Sequence, residues 1–202
     1  MQTVIVEPAR CVGCMQCSLA CAAAHSKSGN LIGAISEKPK PAPRIHIGPG
    51  PGSFSFPNKC RHCDPAPCQT ACMPRAITRD AVTEAMLVNP SRCINCGMCA
   101  MACPFGVIRY REDHRRVSPG NIAVKCDNCV ERQKEGLEPA CVSQCKTGAL
   151  RYGDPNDMLK DRTRKVAMEV TLGLRGEPYP QSERPTVVFW RTLGEASEKV
   201  KG

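Results

Sequence analysis

Cysteine thiolates are soft ligands for iron, and their spacing along a chain decides what they can hold. Residues 93–104 read CINCGMCAMACP, which places Cys93, Cys96, Cys99 and Cys103 at C-x2-C-x2-C-x3-C intervals ahead of Pro104. A cuboidal [4Fe–4S] core has four irons and takes one thiolate on each. Three cysteines in a tight loop wrap three corners, and the loop amides are free to hydrogen-bond sulfur. The x3 gap carries Cys103 onto a helical turn that points away from the other three, so it ligates the other cluster of a pair. The stretch therefore predicts two clusters and a partner run elsewhere.

Three more runs are present. Cys11, Cys14, Cys17 and Cys21 repeat the same spacing, with Ala22 where Pro104 stands in the first. Cys60, Cys63, Cys68 and Cys72 are spaced x2, x4, x3, the longer gap being Asp64-Pro65-Ala66-Pro67. Cys126, Cys129, Cys141 and Cys145 are spaced x2, x11, x3. Four runs of four use all 16 cysteines of the 202-residue chain. That predicts four [4Fe–4S] clusters with every iron ligated by protein and none left open for a substrate. No Ser/His/Asp set or phosphate-cradling glycine loop is evident, and the prolines of GPGPG (48–52) remove the amide donors such a cradle needs. The chemistry left is one-electron transfer, so the chain reads as an electron-transfer subunit and not an enzyme.

Cysteine at this density also admits disulfides or zinc. Disulfides belong to oxidising compartments, and TVIV after Met1 is too short for a signal-peptide core. Zinc favours two spaced C-x2-4-C pairs over four ligands within eleven residues. No apolar run approaches the ~18 residues of a membrane span. These readings predict a cytoplasmic chain that meets a membrane only through a partner. The formal charge of +9 raises a different class, a zinc-structured nucleic-acid-binding module. Against it, each oxidised site contributes about −2, which brings the loaded protein to about +1. No basic stripe interleaved with aromatics is present. Aromatic residues are only 4% of the chain, so clusters must take the place of large side chains in the interior.

The elements that position these runs follow an internal repeat. Cys60, Cys93 and Cys126 are 33 residues apart, and the Cys11–Cys60 interval is 16 residues longer. A small residue and an aliphatic pair recur after the final cysteine, as Ala76-Ile77, Val107-Ile108 and Ala149-Leu150. Each unit is loop, short helix, strand, and two units close around two clusters. Strands are expected at Thr3–Val6, Arg44–Ile47, Ser53–Phe56, Ala76–Arg79, Met86–Val88, Gly106–Arg111 and Ile122–Val124, with one helical turn ended by Gly136. Phe54 and Phe56 are read as cover for a cluster in preference to a docking point for a partner. Asp154 and Pro155 start a helix over Asn156–Leu174. Its apolar face (Met158, Leu159, Val166, Val170, Leu174) would lie across the clusters or on a partner. Pro178–Pro185 reads as extended and Pro185–Trp190 as a final strand. His25 reads as a helix-end polar group, His62 as a hydrogen-bond donor to sulfur, and Lys146 as a solvated lysine or a cation raising a cluster potential.

Over roughly residues 1–153 the pattern resembles the sixteen-cysteine, four-cluster electron-transfer subunits of the dimethyl sulfoxide reductase β-subunit type. The resemblance implies cross-pairing of the runs into four ligand sets. These are cluster A (Cys11, Cys14, Cys17, Cys145), cluster B (Cys126, Cys129, Cys141, Cys21), cluster C (Cys60, Cys63, Cys68, Cys103) and cluster D (Cys93, Cys96, Cys99, Cys72). The fold class is then α+β, with two pseudo-symmetric bacterial-ferredoxin-like lobes each around two clusters. Residues 1–25 plus 120–153 form the outer lobe and 57–119 the inner lobe. Residues 26–56 are an inserted hairpin, and 154–202 a C-terminal helix–strand extension. Ala22, Met73 and Lys146 depart from the proline that follows the final cysteine in several relatives. Within the family, CVGCMQCSLACAAAHSKSGNLIGAI and CRHCDPAPC are similar to the iron–sulfur subunit serving nickel–iron carbon monoxide dehydrogenase. That implies such an enzyme as donor and a hydrogenase or another acceptor downstream. The alternative is the small subunit of a molybdenum or tungsten oxidoreductase acting on an aldehyde or formate.

Overall fold

The computed structural model describes residues 2–50, 52, 54–116 and 120–175. The expected segments Pro178–Pro185 and Pro185–Trp190 lie outside the described residues.

Four antiparallel two-stranded ribbons and seven helices, most of them a turn or two long, make up these residues. β1 (Thr3–Val6) leads into the first run, and α1 (Gln16–Ala24) carries its last two cysteines. α2 (Leu31–Ser36) follows, a helix the sequence reading did not anticipate. Its signal is Asn30, whose side chain accepts from the Gly33 amide at 2.8 Å as an N-cap. β2 (His46–Pro49) and β3 (Ser55–Asn58) form the expected hairpin, paired His46↔Asn58 through Pro49↔Ser55. α3 (Pro67–Thr70), the β4 (Ile77–Arg79)–β5 (Met86–Val88) hairpin and α4 (Met98–Met101) come next. β6 (Arg109–Arg111) then pairs with β7 (Ile122–Val124). α5 (Val130–Lys134) fills the long gap of the fourth run and stops at Gly136, at φ +72°. α6 (Ala140–Ser143), β8 (Leu150–Gly153) and α7 (Pro155–Leu174) complete the order.

Two long-range closures organise the chain. β8 returns to pair with β1, Thr3↔Gly153 through Val6↔Leu150, and α1 packs on α6. The first and fourth runs are thereby side by side. Between them, α3 packs on α4, which sets the second run against the third. The core is built from small and medium residues. Ala76, Ile77, Met86, Ile108, Ile122 and Ala123 form one buried cluster with Cys93 and Cys99. Val4, Ile45 and Leu150 form another with Cys17, Cys21 and Cys141. The three repeated aliphatic pairs are all buried.

Two expectations are corrected. Phe54 and Phe56 do not enter the core; both are exposed on the β2–β3 hairpin, where the Phe56 ring lies 5.6 Å from the Arg61 guanidinium. Alternation in a two-stranded ribbon puts every second side chain on the solvent side. α7 forms over the expected span, with the Asp154 carboxylate accepting from the Asn156 amide at 2.8 Å. Yet α7 buries no residue among those described. Leu159, Val166, Val170 and Leu174 are exposed, so the apolar stripe is not laid across the cysteine groups, which leaves the other expected placement, on a partner. No helix of the described residues is long and apolar enough to cross a membrane.

Candidate metal centres

The local geometry of the four runs is shared. The third cysteine of each is the second residue of a helix: Cys17 in α1, Cys68 in α3, Cys99 in α4 and Cys141 in α6. The fourth cysteine lies four residues on, one turn along the same face. The residue before each second cysteine is left-handed: Gly13 (φ +69°), His62 (+51°), Asn95 (+59°) and Asn128 (+61°). That turn aims backbone N–H groups inward. The His62 amide donates to Cys60 Sγ and the Asn128 amide to Cys126 Sγ, each at 3.4 Å. Three residues past the final cysteine the backbone is left-handed again, at Arg75, Gly106 and Gly148. It then turns straight into the buried aliphatic pair.

Amides also meet the fourth cysteines. Ala76 N donates to Cys72 Sγ at 3.2 Å and Leu150 N to Cys145 Sγ at 3.3 Å. In the first run the corresponding donor is Arg44 N, at 3.2 Å from Cys21 Sγ. The inserted residues loop out after α1 and return to supply the amide that Ala76 supplies four residues after its cysteine. Ala123 N reaches Cys93 Sγ at 3.4 Å, and the Tyr110 hydroxyl lies 3.0 Å from Cys99 Sγ.

The structure draws the thiols into neighbourhoods. Cys60, Cys63, Cys68 and Cys103 line one cavity; Cys72, Cys93, Cys96 and Cys99 line another. Burial pushes the Cys17 thiol up, with Cys14, Cys145 and Cys11 adding to the rise. Burial raises Cys21 to about 12, reinforced by Cys126 and Cys129. Cys129 is raised to about 11, chiefly by burial, and Cys141 rises further beside Cys126, Cys21 and Cys129. Thiols this buried and crowded ionise together only around a polycation, because each thiolate opposes the next. A donor set of thiols alone, met by inward amides, fits an iron–sulfur core.

His62 strengthens that fit. Burial, together with the Lys125 and Lys59 charges, holds its imidazole far below the ordinary range, so the ring is neutral. Its Nδ1 accepts from the Met86 amide at 2.9 Å, which leaves Nε2 as the protonated nitrogen. That N–H is buried without a partner among the described residues, between Cys60 and Cys63 in sequence. An orphaned donor beside a thiol-lined cavity suits a sulfur acceptor. His25 caps the C-terminus of α1, with Nδ1 2.8 Å from the Cys21 carbonyl and Nε2 3.0 Å from Asp127 Oδ1. Lys146 is exposed.

Sequence reasoning missed Asp127 and Arg44. Burial opposes ionisation of Asp127, but the His25 hydrogen bond and the Arg44 guanidinium hold its carboxyl well below the usual carboxylate range. Arg44 in turn lies between Asp127 and Asp113. Partners this far apart in sequence leave no local signal. Tyr110 was missed as well, although its hydroxyl meets a cysteine only 11 residues away. Lys59 and Lys125 did have a signal, since each directly precedes a first cysteine.

The profile of the 4Fe-4S dicluster domain matches residues 52–155. The chain belongs to the 4Fe-4S dicluster domain family. It is 36% identical over 157 residues to an iron–sulfur protein of Rhodospirillum rubrum, covering 75% of this chain and 81% of that protein. It is 32% identical over 190 residues to formate hydrogenlyase subunit 2 of Escherichia coli, covering 80% of this chain and 86% of that protein. The iron–sulfur subunit of the nitrate-inducible formate dehydrogenase of Escherichia coli is 28% identical over 176 residues, with 81% of this chain and 58% of that protein covered. As a 4Fe-4S dicluster domain protein, the chain has 16 cysteines, compatible with four [4Fe–4S] clusters, and the zinc reading of these residues gives way.

Proposed function

We propose that the chain is a non-catalytic relay, passing single electrons through four [4Fe–4S] clusters between a catalytic oxidoreductase and a downstream acceptor. A bound [4Fe–4S] core accepts and returns one electron without making or breaking bonds. The ligand sets are those of clusters A to D, carried by two lobes, 1–25 with 120–153 and 57–119. The thiol neighbourhoods and the packing of α1 on α6 and α3 on α4 support this.

One observation carries the relay. The thiols form a continuous path with two open ends. Cys17 and Cys21 share α1 and link A to B. Cys126 and Cys60 pack in one buried cluster with Val107 and link B to C. Cys68 packs against the buried cluster that holds Cys93 and Cys99 and links C to D. Among the described residues, the two exposed cysteines are Cys14 and Cys96, one in A and one in D. A path whose exposed cysteines, among the described residues, fall in its two terminal groups suits electron entry at one end and exit at the other.

The partner enzyme is proposed to be a nickel–iron carbon monoxide dehydrogenase with a hydrogenase or similar acceptor, on the resemblance of residues 11–35 and 60–68. The names of the Escherichia coli relatives favour a second reading, a formate-oxidising molybdenum or tungsten enzyme. Anaerobically purified protein should hold about sixteen irons and sixteen sulfides per chain and absorb broadly near ~400 nm, bleaching with dithionite. Stoichiometric zinc in a colourless protein overturns the relay. Metal analysis of the enzyme that co-purifies from an anaerobic extract separates the partners: nickel for the first, molybdenum or tungsten for the second.

A further inference from the structure

Lys59 and Lys125 each stand one residue ahead of a first cysteine, and their residues are 1% and 3% exposed. Lysine is almost never buried so completely without a charged partner. Lys59 Nζ donates to the Cys60 carbonyl at 3.1 Å. Lys125 Nζ donates to the Cys126 carbonyl at 3.1 Å and to the Met86 carbonyl. Among the described residues neither forms an ion pair with a carboxylate. Arg44 is buried to a similar degree but is bracketed by Asp127 and Asp113, so its charge is already answered. Among the described residues the two ammonium groups meet carbonyl oxygens. The anions that remain to answer them are the thiolate groups.

Their reach is crossed. Lys125 belongs to the backbone of the Cys126 group, yet it lines the cavity formed by Cys60, Cys63, Cys68 and Cys103. Its charge opposes the rise that burial imposes on the Cys68 thiol. Lys59 belongs to the backbone of the Cys60 group, and its charge acts in the same sense on Cys126 and Cys141. Cys60 and Cys126 pack in one buried cluster with Val107, and the two ammonium groups are held on the carbonyls of these same two cysteines.

We propose that Lys59 and Lys125 are a reciprocal pair of buried cations, each anchored to one central cysteine group and stabilising the reduced state of the cluster held by the other. The proposal rests on the ligand sets given for clusters B and C. One electron from the neighbouring station, or from dithionite in a titration, takes a 2+ core to 1+. The site with its four thiolates then goes from about −2 to −3, with no bond broken and no proton taken up. A fixed cation close by attracts −3 more than −2, and weak screening at a buried junction makes that difference large. Both central stations are therefore held at higher potential than they would have without the lysines. Since each cation is supplied by the opposite group, correct docking of the two lobes is itself part of setting the potentials.

The test is an EPR-monitored redox titration of the loaded protein with Lys59→Met and Lys125→Met. The cluster C signals are assigned through Cys103→Ser and the cluster B signals through Cys21→Ser. Lys59→Met should lower the potential of cluster B, and Lys125→Met that of cluster C. Each shift should be at least tenfold in the one-electron equilibrium constant, about 59 mV, with A and D unmoved. Lys→Gln, which keeps a hydrogen-bond donor without the charge, should reproduce these shifts and serves where a Met variant does not load. Potentials that stay put, or that move only on the lysine's own side, overturn the proposal. Failure of both Met and Gln variants to take up iron overturns it too, since the lysines would then be structural. Fewer than four clusters in the unmodified protein breaks the underlying relay, whatever the lysines do.

Discussion

Cys103 sits just past α4, packs with Cys60, Val107 and Cys126, and lines one cavity with Cys60, Cys63 and Cys68. Serine in its place offers a harder, more basic oxygen that is a poor ligand for iron. Cys103→Ser should therefore damage the cluster held mainly by Cys60, Cys63 and Cys68, seen as loss or conversion of its EPR signal. A change confined to the signal of the Cys93, Cys96 and Cys99 group would show the cross-pairing to be wrong. The cysteines were legible in the sequence because coordination demands fixed separations along the chain. The residues that condition them were not. Arg44, Asp127, Tyr110 and the two lysines act through space, and a lysine met in a sequence reads as a solvated surface residue by default.

At the scale of elements, each run has the same parts: a left-handed residue before its second cysteine, a helix beginning at the third, and in three runs a left-handed turn after the fourth. Most of these elements were readable. The hairpins at 77–88 and 46–58 followed from strand-forming residues around turn signals, and Asp154-Pro155 announced α7. α2 was missed because its signal is the single Asn30 cap before only six helical residues. Of the two placements expected for α7, the one across the cysteine groups is not formed, because an apolar stripe does not say which surface receives it. Since α7 buries none of its residues among those described, its stability depends on local terms. Asp154→Ala removes the N-cap and should cost about 0.5–2 kcal/mol of helix stability. Far-ultraviolet circular dichroism should fall while the visible iron–sulfur absorption is unchanged. A loss of iron in this variant would mean that α7 does support the cysteine groups.

At the scale of the molecule, the formal charge of +9 is that of a chain without its clusters. With about −2 per oxidised site, four sites bring the loaded protein to about +1. Apoprotein and loaded protein should therefore separate widely on a cation exchanger at pH 7 and low salt, the apoprotein eluting much later. Similar elution of the two forms would mean that the basic residues answer something other than the clusters. With 4% aromatic residues, the interior is built from cysteines and from small and medium apolar side chains such as Ala76, Ile77, Ile108 and Ile122.

The sequence alone determined the metal chemistry, the number of sites and the repeat, since thiolate count and spacing are covalent facts that the chain carries whatever its fold. Only the tertiary structure decided which runs lie together, through the return of β8 to β1 and the packing of α1 on α6. It alone brought Arg44 back to the Cys21 sulfur and left Cys14 and Cys96 as the exposed cysteines. It also buried Lys59 and Lys125, and set Lys125 against the cavity of Cys60, Cys63, Cys68 and Cys103. The reason is physical: ligation is written in local spacing, whereas exposure, charge compensation and the order of the stations depend on contacts between residues a hundred positions apart.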